Sequence, residues 1–259
     1  MLIYSMSDIH GFLEAFQSAL KKVDLSGENK IVFLGDYIDY GPQSREVLES
    51  IMHLQKKYGA NKVVVLLGNH EKDFLDWLTE YEDINIHIAK IDTYSKCEWL
   101  QQERDCDYET LKSFLSQEHW KAFSATEHIL SWDSRNAEAV RLLLEDADEI
   151  ITWLRGCLYY YETDNQIFVH AGIAEWAKEE WLCVTSDDLM VRKYPASKGT
   201  FYKDVIAGHI STARISKNNE FYGVLHDGES HYYLDGTTYR SGKVPVLVYD
   251  TEEKIYFEK

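Results

Sequence analysis

Three short apolar runs near the start of the chain each end at a cluster of polar residues and glycine. These runs are Leu2-Ile3-Tyr4 before Ser7-Asp8, residues 31–34 before Gly35-Asp36, and residues 63–67 before Gly68-Asn69. Runs of this length and polarity are typical of buried strands with polar loops at their carboxyl ends. The segments between them carry apolar residues at helical spacing, so the first part of the chain is predicted to be β-α-β-α-β.

This alternation predicts an α/β fold with parallel strands and right-handed crossovers. The carboxyl ends of parallel strands then lie along one edge of the sheet, which is where ligands bind in such folds. Asp8 and Asp36 are 28 residues apart, and Asp36 and Asn69 are 33 apart. Each spacing fits one crossover, so the three loops are expected to meet in space.

The strand pattern disappears from Glu71 to about Tyr161 and helical patterns replace it. Strands resume at residues 167–169, 205–207, 231–234, 244–249 and 255–257, and the turn residues between the last of them predict an antiparallel, hairpin-rich second sheet. We interpret residues 75–160 as a helical cap inserted into a single domain that spans residues 1–259. Its aromatic residues, Trp77 and Trp99 among them, are interpreted as core, with a surface that stacks a nucleobase or shapes a peptide groove as the alternative.

Charge and cysteine content exclude several classes of protein. The 44 acidic residues outnumber the 27 basic ones and give a net charge of −17, which disfavours an extended nucleic acid as partner. The cysteines at 97, 106, 157 and 183 match no zinc motif and are expected to be reduced. No apolar run approaches the roughly 18 residues of a membrane span. We therefore expect no membrane partner and a cytoplasmic location.

Five predicted strand ends carry side chains that bind metals. They are Asp8-Ile9-His10, the Asp36 to Asp39 segment, Asn69-His70-Glu71, His170 and His209. Imidazole and carboxylate groups bind divalent transition metals, and a carboxylate can bridge two ions, as in sites for displacement at phosphorus. Taken singly, each of these residues is more often structural, and Asp39 alone would be interpreted as a turn residue. Their joint occurrence, in order, at the ends of apolar runs predicts a dinuclear site.

These motifs together resemble the signature of the calcineurin-like metallophosphoesterases. The resemblance rests on Ser7 to Gly11, Gly35 to Gly41, Gly68 to Glu71, His170-Ala171-Gly172 and Gly208-His209. It is closest to the serine/threonine phosphoprotein phosphatases and their bacterial and phage relatives, which include the diadenosine tetraphosphate hydrolases. It covers residues 1–75 and 165–250 and implies a four-layer αββα sandwich, with the helical cap as an insertion.

The resemblance also implies a role for each matching residue. One metal ion would be held by Asp8, His10 and Asp36, and the other by Asp36, Asn69, His170 and His209. Manganese is the expected metal, with iron, zinc and cobalt as alternatives. A hydroxide held between the two ions would attack phosphorus in line. His70 would protonate the leaving oxygen, and Asp39 would orient His70 and keep it protonated.

The sequence departs from the family motif G-D-x-x-D-R-G, because Tyr40 stands where the arginine is expected. Tyrosine donates one hydrogen bond but carries no positive charge, so either another cation compensates or the substrate differs from the usual one. Arg45 and Arg192 are the candidates for that cation, and we predict phosphate binding by Arg192, Arg45 and Tyr40. A solvated surface position is the alternative for both arginines.

The leading functional prediction is a dinuclear phosphatase that hydrolyses phosphomonoesters, with phosphoserine or phosphothreonine on proteins as the substrate. Hydrolysis of dinucleoside polyphosphates of the diadenosine tetraphosphate type is the alternative. A third prediction is a weakly active metal-binding scaffold, which only the Tyr40 departure supports. The partner is accordingly expected to be a phosphorylated protein or a small phosphate ester or nucleotide.

Overall fold

Ten strands and eleven α-helices make up the described part of the chain. A computed structural model describes residues 1–82 and 98–259. The strands are β1 (Leu2–Met6), β2 (Lys30–Phe33), β3 (Val63–Val65), β4 (Tyr160–Glu162), β5 (Gln166–Val169), β6 (Asp204–Ala207), β7 (Leu225–His226), β8 (His231–Tyr233), β9 (Leu247–Asp250) and β10 (Ile255–Glu258).

The helices follow the strands of the first part and then dominate the middle of the chain. They are α1 (Leu13–Leu20), α2 (Ser44–Tyr58), α3 (Asn69–Glu82), α4 (Trp99–Asp105), α5 (Glu109–Phe114), α6 (Gln117–Ala125), α7 (Trp132–Arg155), α8 (Trp181–Val184), α9 (Asp187–Arg192), α10 (Thr212–Ser216) and α11 (Thr238–Ser241). A 3₁₀ helix covers Glu175–Glu180.

The first sheet has the strand order β10-β9-β1-β2-β3. Strands β1, β2 and β3 are parallel, and α1 and α2 form the crossovers between them. The β-α-β-α-β prediction for the first part of the chain is therefore confirmed. The carboxyl ends of β1, β2 and β3 lie together at one edge of this sheet.

The second sheet has the strand order β4-β5-β6-β8-β7, and the prediction of an antiparallel sheet was wrong for its centre. Strands β5, β6 and β8 are parallel, and only the edge strands β4 and β7 are antiparallel. Strands β9 and β10 belong to the first sheet, where β9 pairs with β1. Short strands buried on both faces show no alternation that distinguishes the two directions, and the helices in the crossovers have only four to six residues.

Alternate residues of the strands face two different apolar layers. Val32 and Val64 of the first sheet pack with Phe168 and Ile206 of the second, between the two sheets. Their sequence neighbours, such as Phe33, face the helices that cover the outer side of the first sheet. A third apolar cluster, which includes Trp181, covers the outer side of the second sheet. The order of layers is αββα, as predicted.

The helices between residues 99 and 155 share one apolar core with α1, α2 and α3. Trp77, Trp99, Phe114 and Leu143 belong to the same buried cluster as Phe16 of α1. Trp77 and Trp99 are fully buried, in keeping with their interpretation as core. The bounds 75–160 for an inserted cap stay a prediction, and residues 83–97 of that segment lie outside the described residues.

Three of the four cysteines lie within the described residues. Cys106, Cys157 and Cys183 form no disulfide, whereas Cys97 lies outside the described residues. None of the helices in residues 1–82 and 98–259 is apolar enough over a sufficient length to cross a membrane. The cytoplasmic location stays a prediction.

His231 on β8 is buried between two carboxylates. Its Nδ1 lies 3.0 Å from Asp227 Oδ2 and its Nε2 lies 3.1 Å from Glu175 Oε2, while Lys193 also contacts Glu175 at 2.8 Å. Burial by itself would lower the pKa of His231, but the hydrogen bond and charge of Glu175, together with Asp227, outweigh it and raise the pKa. The protonated histidine therefore stabilises the folded state.

We predict that the free energy of unfolding falls as the pH rises from about 6.5 through the raised pKa of His231, because folding then no longer gains from the imidazolium. His231→Gln is expected to flatten this slope and to lower stability at pH 6 by about 1–3 kcal/mol. Urea unfolding of the metal-free protein at pH 6 and pH 8 measures both, with exposed His226→Gln as control. An equal slope in wild type and His231→Gln would contradict the prediction.

Candidate active site

Five strand ends meet at the edge shared by the two sheets. Strands β1, β2 and β3 lead to Asp8 and His10, to Asp36 and to Asn69, while β5 and β6 lead to His170 and His209. The loops after β1 and β2 are joined directly, because the N–H groups of Ile9 and His10 donate to the Asp36 carbonyl at 2.8 and 3.0 Å. Gly208 N–H donates to the His170 carbonyl at 2.7 Å and joins the loops of the second sheet in the same way.

The carboxylate of Asp36 lies at the centre of this cluster. Its Oδ2 is 3.7 Å from His10 Nε2, 3.3 Å from His170 Nε2 and 3.9 Å from His70 Nε2. Two groups have ligand atoms within 4.8 Å of one another and share Asp36: His10 with Asp36 and His70, and Asp36 with His170 and His209. Two adjacent groups of metal-binding atoms with a common carboxylate can accept two cations.

Asp8 and Asn69 complete the cluster of predicted ligands. Asp8 Oδ1 is 4.0 Å from His10 Nε2, and the Asp8 carboxylate accepts the His209 N–H at 3.1 Å. Asn69 Oδ1 lies 3.1 Å from His170 Nε2 and 2.8 Å from His209 Nδ1. The structure thus brings all six predicted ligands together, and it also places His70 next to Asp36.

The orientation of two histidines fits a metal site. His10 Nδ1 lies 2.9 Å from the Ile38 carbonyl, and His170 Nδ1 lies 2.9 Å from the Leu34 carbonyl. An Nδ1–H that donates to a carbonyl leaves the lone pair of Nε2 directed at the cluster, which is the usual arrangement of metal-binding histidines. Nitrogen and oxygen donors of this kind suit Mn, Fe, Zn or Co, so the residues fit a divalent metal without selecting one.

The carboxylates of Asp8 and Asp36 are buried close together in the cluster, and that of the partly buried Asp235 lies beside them. Burial and the charge of Asp235 raise the pKa of Asp8, and burial raises the pKa of Asp235 to about 6, with a contribution from Asp36. Burial would also raise the pKa of Asp36, but the neighbouring imidazoles of His170 and His70 outweigh it and hold that pKa well below its usual range. Acidic groups this close need nearby positive charge, which divalent ions supply.

The histidines of the cluster have different protonation states. Burial and the charge of His70 lower the pKa of His10 to about 4, and burial and the charge of His170 lower the pKa of His209 to about 4. Burial would lower the pKa of His170 as well, but Asp36 outweighs it and raises the pKa to about 9. His10 and His209 are therefore neutral at pH 7 and available as ligands, whereas a metal must displace a proton from His170.

His70 and Asp39 form a close pair at the edge of the cluster. His70 Nδ1 lies 2.6 Å from Asp39 Oδ2, which leaves Nε2 directed towards Asp36. Burial by itself would lower the pKa of His70, but Asp36 and Asp39 outweigh it and raise the pKa to about 10. An imidazolium in this position can give a proton to a leaving group, and divalent ions bound nearby would make it a stronger acid.

The geometry agrees with the comparisons to known proteins. A family model described as calcineurin-like phosphoesterase matches residues 1–232. The chain belongs to this family. It is 27% identical over 200 residues to the symmetrical bis(5′-nucleosyl)-tetraphosphatase of Wigglesworthia glossinidia brevipalpis, and the match covers 62% of this phosphoesterase and 71% of that relative.

Two further known proteins are similar to this chain, one over a short segment of sequence and the other in its fold. A protein of Caenorhabditis elegans, named provisionally as a serine/threonine-protein phosphatase, is 41% identical over 69 residues, which is 26% of this phosphoesterase and 18% of that relative. A cold-active protein-tyrosine phosphatase of a psychrophilic Shewanella has the same fold, with a TM-score of 0.58, 16% identity and coverage of 99% of this phosphoesterase and 80% of that chain.

Backbone strain is concentrated in the candidate active site of this phosphoesterase. Six of the twelve described non-glycine residues with positive φ belong to it: Asp8, His10, Asp36, Asp39, Tyr40 and His209, with φ from 52 to 70°. Left-handed backbone is uncommon outside glycine, although Asp and His adopt it more readily than most residues. Such strain persists only where the surrounding contacts hold it, as is usual in functional sites.

Tyr40 lies at the mouth of the site. Its side chain is 49% exposed, and its ring packs edge-on against His10 and His70, with centroid distances of 4.9 and 5.3 Å. The ring of Tyr239, also exposed, lies 6.1 Å from that of Tyr40. The position expected to hold an arginine is thus part of an aromatic surface beside the candidate metal ligands.

The two candidate arginines are engaged with other groups. Arg45 donates to Glu49 Oε1 and to the Phe114 carbonyl, each at 2.8 Å, and neither acceptor belongs to the predicted ligands. Arg192 makes a bidentate ion pair with Asp73. Its charge still helps to lower the pKa of His209, which indicates that it lies on that side of the site. Phosphate binding by Arg45 and Arg192 stays a prediction.

The sequence analysis missed the role of Glu71. Its fully buried carboxylate accepts four backbone N–H groups, those of Asp36, Tyr37, Ile38 and Gly68, at 2.7 to 3.2 Å. Glu71 therefore holds the loop after β2 against the loop after β3. An acidic residue in the first turn of a helix is favoured by the helix dipole whether it is exposed or buried, so the motif that contains Glu71 does not reveal which groups its carboxylate contacts.

Three other contacts to the predicted residues were also missed. Asp235 follows β8, and its charge raises the pKa of Asp8. Trp99 and Thr110, from the helical segment after residue 98, donate hydrogen bonds to Asp39. Nothing local in the sequence connects these residues with Asp39, which lies 60 and 71 positions away.

Glu71→Gln is expected to destabilise the protein by about 2 kcal/mol or more, because an amide NH₂ must then face backbone N–H groups that a carboxylate satisfied. Mn²⁺ binding should weaken about tenfold, since Asp36 loses its backbone support. Urea unfolding and calorimetric titration with Mn²⁺ measure the two effects, and exposed Glu46→Gln is the control. Unchanged stability and affinity would show that Glu71 does not hold the loops.

Proposed function

We propose that this phosphoesterase is a dinuclear metal-dependent hydrolase of dinucleoside polyphosphates, of the bis(5′-nucleosyl)-tetraphosphate type. The observation that carries the proposal is the pair of histidine-carboxylate groups that share Asp36, with the His70–Asp39 pair beside them. One ion would be held by Asp8, His10 and Asp36. The other would be held by Asp36, Asn69, His170 and His209.

Different residues of the site would contribute to different parts of the hydrolysis reaction. When bound, two divalent ions lower the pKa of water and neutralise charge on phosphoryl oxygens. His70 Nε2 carries the proton that the leaving oxygen needs, and Asp39 sets the tautomer and orientation of the ring through its 2.6 Å contact with Nδ1. In an in-line displacement, the leaving oxygen departs on the side opposite the attacking oxygen. A single proton donor on that side is therefore sufficient to protonate the leaving oxygen.

The similarity to the tetraphosphatase supports the nucleotide substrate, which the sequence analysis placed second. The exposed rings of Tyr40 and Tyr239 support it independently. Aromatic rings beside a phosphoryl site offer faces for a nucleobase, which a phosphoserine side chain does not need. Arg240, whose guanidinium lies 5.5 Å from the centroid of the Tyr239 ring, adds positive charge to this surface.

Protein serine/threonine phosphatase is the second candidate. The short stretch that is 41% identical to the Caenorhabditis elegans protein supports it, but that stretch covers only 26% of this chain. The aromatic residue at position 40 weighs against it, because the family motif has an arginine there and its absence removes a cation expected to bind a phosphomonoester. A weakly active metal-binding scaffold is the third candidate, and the contact between His70 and Asp39 weighs against it.

A substrate panel tests the proposed function directly. With Mn²⁺, diadenosine tetraphosphate should be hydrolysed with a kcat/KM at least about tenfold above that for a phosphoserine peptide, and EDTA should abolish both activities until Mn²⁺ is restored. Nucleotide products are followed by anion-exchange chromatography and phosphate by a colorimetric assay. Faster peptide hydrolysis would favour the second candidate, and no hydrolysis of either substrate would favour the scaffold.

Tyr40→Ala is expected to raise the KM for diadenosine tetraphosphate about tenfold, since a stacked base contributes about 1–3 kcal/mol, and to leave the hydrolysis of a small alkyl phosphate nearly unchanged. Tyr40→Phe keeps the ring and should behave as wild type. Steady-state kinetics on both substrates check this, with exposed Tyr202→Ala as control. Equal effects of Tyr40→Ala on both substrates would indicate a role other than stacking.

A further inference from the structure

The carboxylate of Asp39 is held by helices that lie outside the strand-end loops. Trp99 Nε1–H, from α4, lies 3.2 Å from Oδ1 and 3.3 Å from Oδ2 of Asp39. Thr110 Oγ1, from α5, donates to Asp39 Oδ1 at 3.0 Å. Together with His70 Nδ1 on Oδ2, these donors occupy both oxygens of a carboxylate that is 7% exposed.

Thr110 also fixes the backbone of Asp39. Its hydroxyl accepts the Asp39 N–H at 3.0 Å and lies 3.2 Å from Ser44 Oγ. One fully buried hydroxyl thus contacts both the main chain and the side chain of a residue whose φ is 70°. Such a contact holds the uncommon left-handed conformation and the carboxylate in one arrangement.

A second buried tryptophan shows that the contact of Trp99 is a specific one. Trp77 and Trp99 pack against each other, with ring centroids 4.8 Å apart, and both are buried. The indole N–H of Trp77 donates to the neutral amide of Asn136 at 2.7 Å. The indole N–H of Trp99 donates to the acid that contacts His70. Both tryptophans therefore belong to the apolar core, and they differ in the acceptor to which the indole N–H group donates.

We propose that Trp99 and Thr110 are positioning residues for the Asp39–His70 pair. The inference rests on the proposed role of His70 as proton donor. Without either donor, the buried carboxylate loses a partner and shifts, so it no longer holds the His70 ring in the orientation that directs Nε2 at the leaving oxygen. The helices α4 and α5 thus complete the half of the site that protonates the leaving group.

Dependence on the leaving group separates this role from a purely structural one. Protonation matters for a poor leaving group such as that of phenyl phosphate and little for that of p-nitrophenyl phosphate. Trp99→Phe and Thr110→Val should lower kcat for phenyl phosphate about tenfold and kcat for p-nitrophenyl phosphate less than about twofold, with KM nearly unchanged. His70→Asn should show the same selectivity to a larger extent.

Two matched variants control for stability. Trp77→Phe removes an indole N–H from the same cluster and should not change the ratio of the two rates. Thr110→Ser keeps the hydroxyl and should restore the ratio that Thr110→Val loses. Melting temperatures and Mn²⁺ affinities of all variants show whether the fold and the metal site are intact.

Equal losses on both substrates in Trp99→Phe and Thr110→Val, or the same change of ratio in Trp77→Phe, would overturn the positioning role. Selective loss in His70→Asn with no loss in either variant would overturn it too while leaving the role of His70 intact. A wild-type protein that hydrolyses neither of these esters nor diadenosine tetraphosphate would overturn the proposed function itself.

Discussion

The four N–H groups that converge on the Glu71 carboxylate are the contact on which the candidate active site most depends. Three of them belong to the loop after β2 and one to the loop after β3. Both loops are buried, and unpaired N–H groups there would each cost about 1–3 kcal/mol. A single carboxylate satisfies them and brings Asp36 to a position where His10, His70 and His170 surround it.

The charge of the site follows from this arrangement. Asp8, Asp36 and Asp235 are crowded into a poorly hydrated region of a chain whose net charge is already −17. Part of their charge is balanced by His70 and His170, whose pKa values rise accordingly. A cluster of this kind binds cations because protons and metal ions compete for the same lone pairs. The acidic surface does not prevent a phosphate ester from binding once divalent ions occupy the cluster.

The helical segment contributes contacts to only one side of the candidate active site. The strand-end loops supply the candidate metal ligands from both sheets, whereas the donors that hold Asp39 come from α4 and α5, on the side of the first sheet. The exposed rings of Tyr40 and Tyr239 lie at the opening of the same site. The candidate metal ligands, the His70–Asp39 pair and the aromatic surface are therefore adjacent but are built from different parts of the chain.

The amino-acid sequence by itself determined strands β1, β2 and β3, their parallel direction and the candidate metal-binding residues at their ends. These follow from local patterns, namely apolar runs, helical periodicity and crossovers of one length. Only the tertiary structure decided the direction of the strands in the second sheet, the clamp formed by Glu71 and the partners of Asp39. The reason is that these depend on contacts between residues far apart in the chain, such as Glu71 with Asp36, 35 positions away, and Thr110 with Asp39, 71 positions away, for which no local pattern exists. The engagement of Arg45 with Phe114 belongs to the same class, since a sequence shows that an arginine is present but not which acceptor its guanidinium reaches.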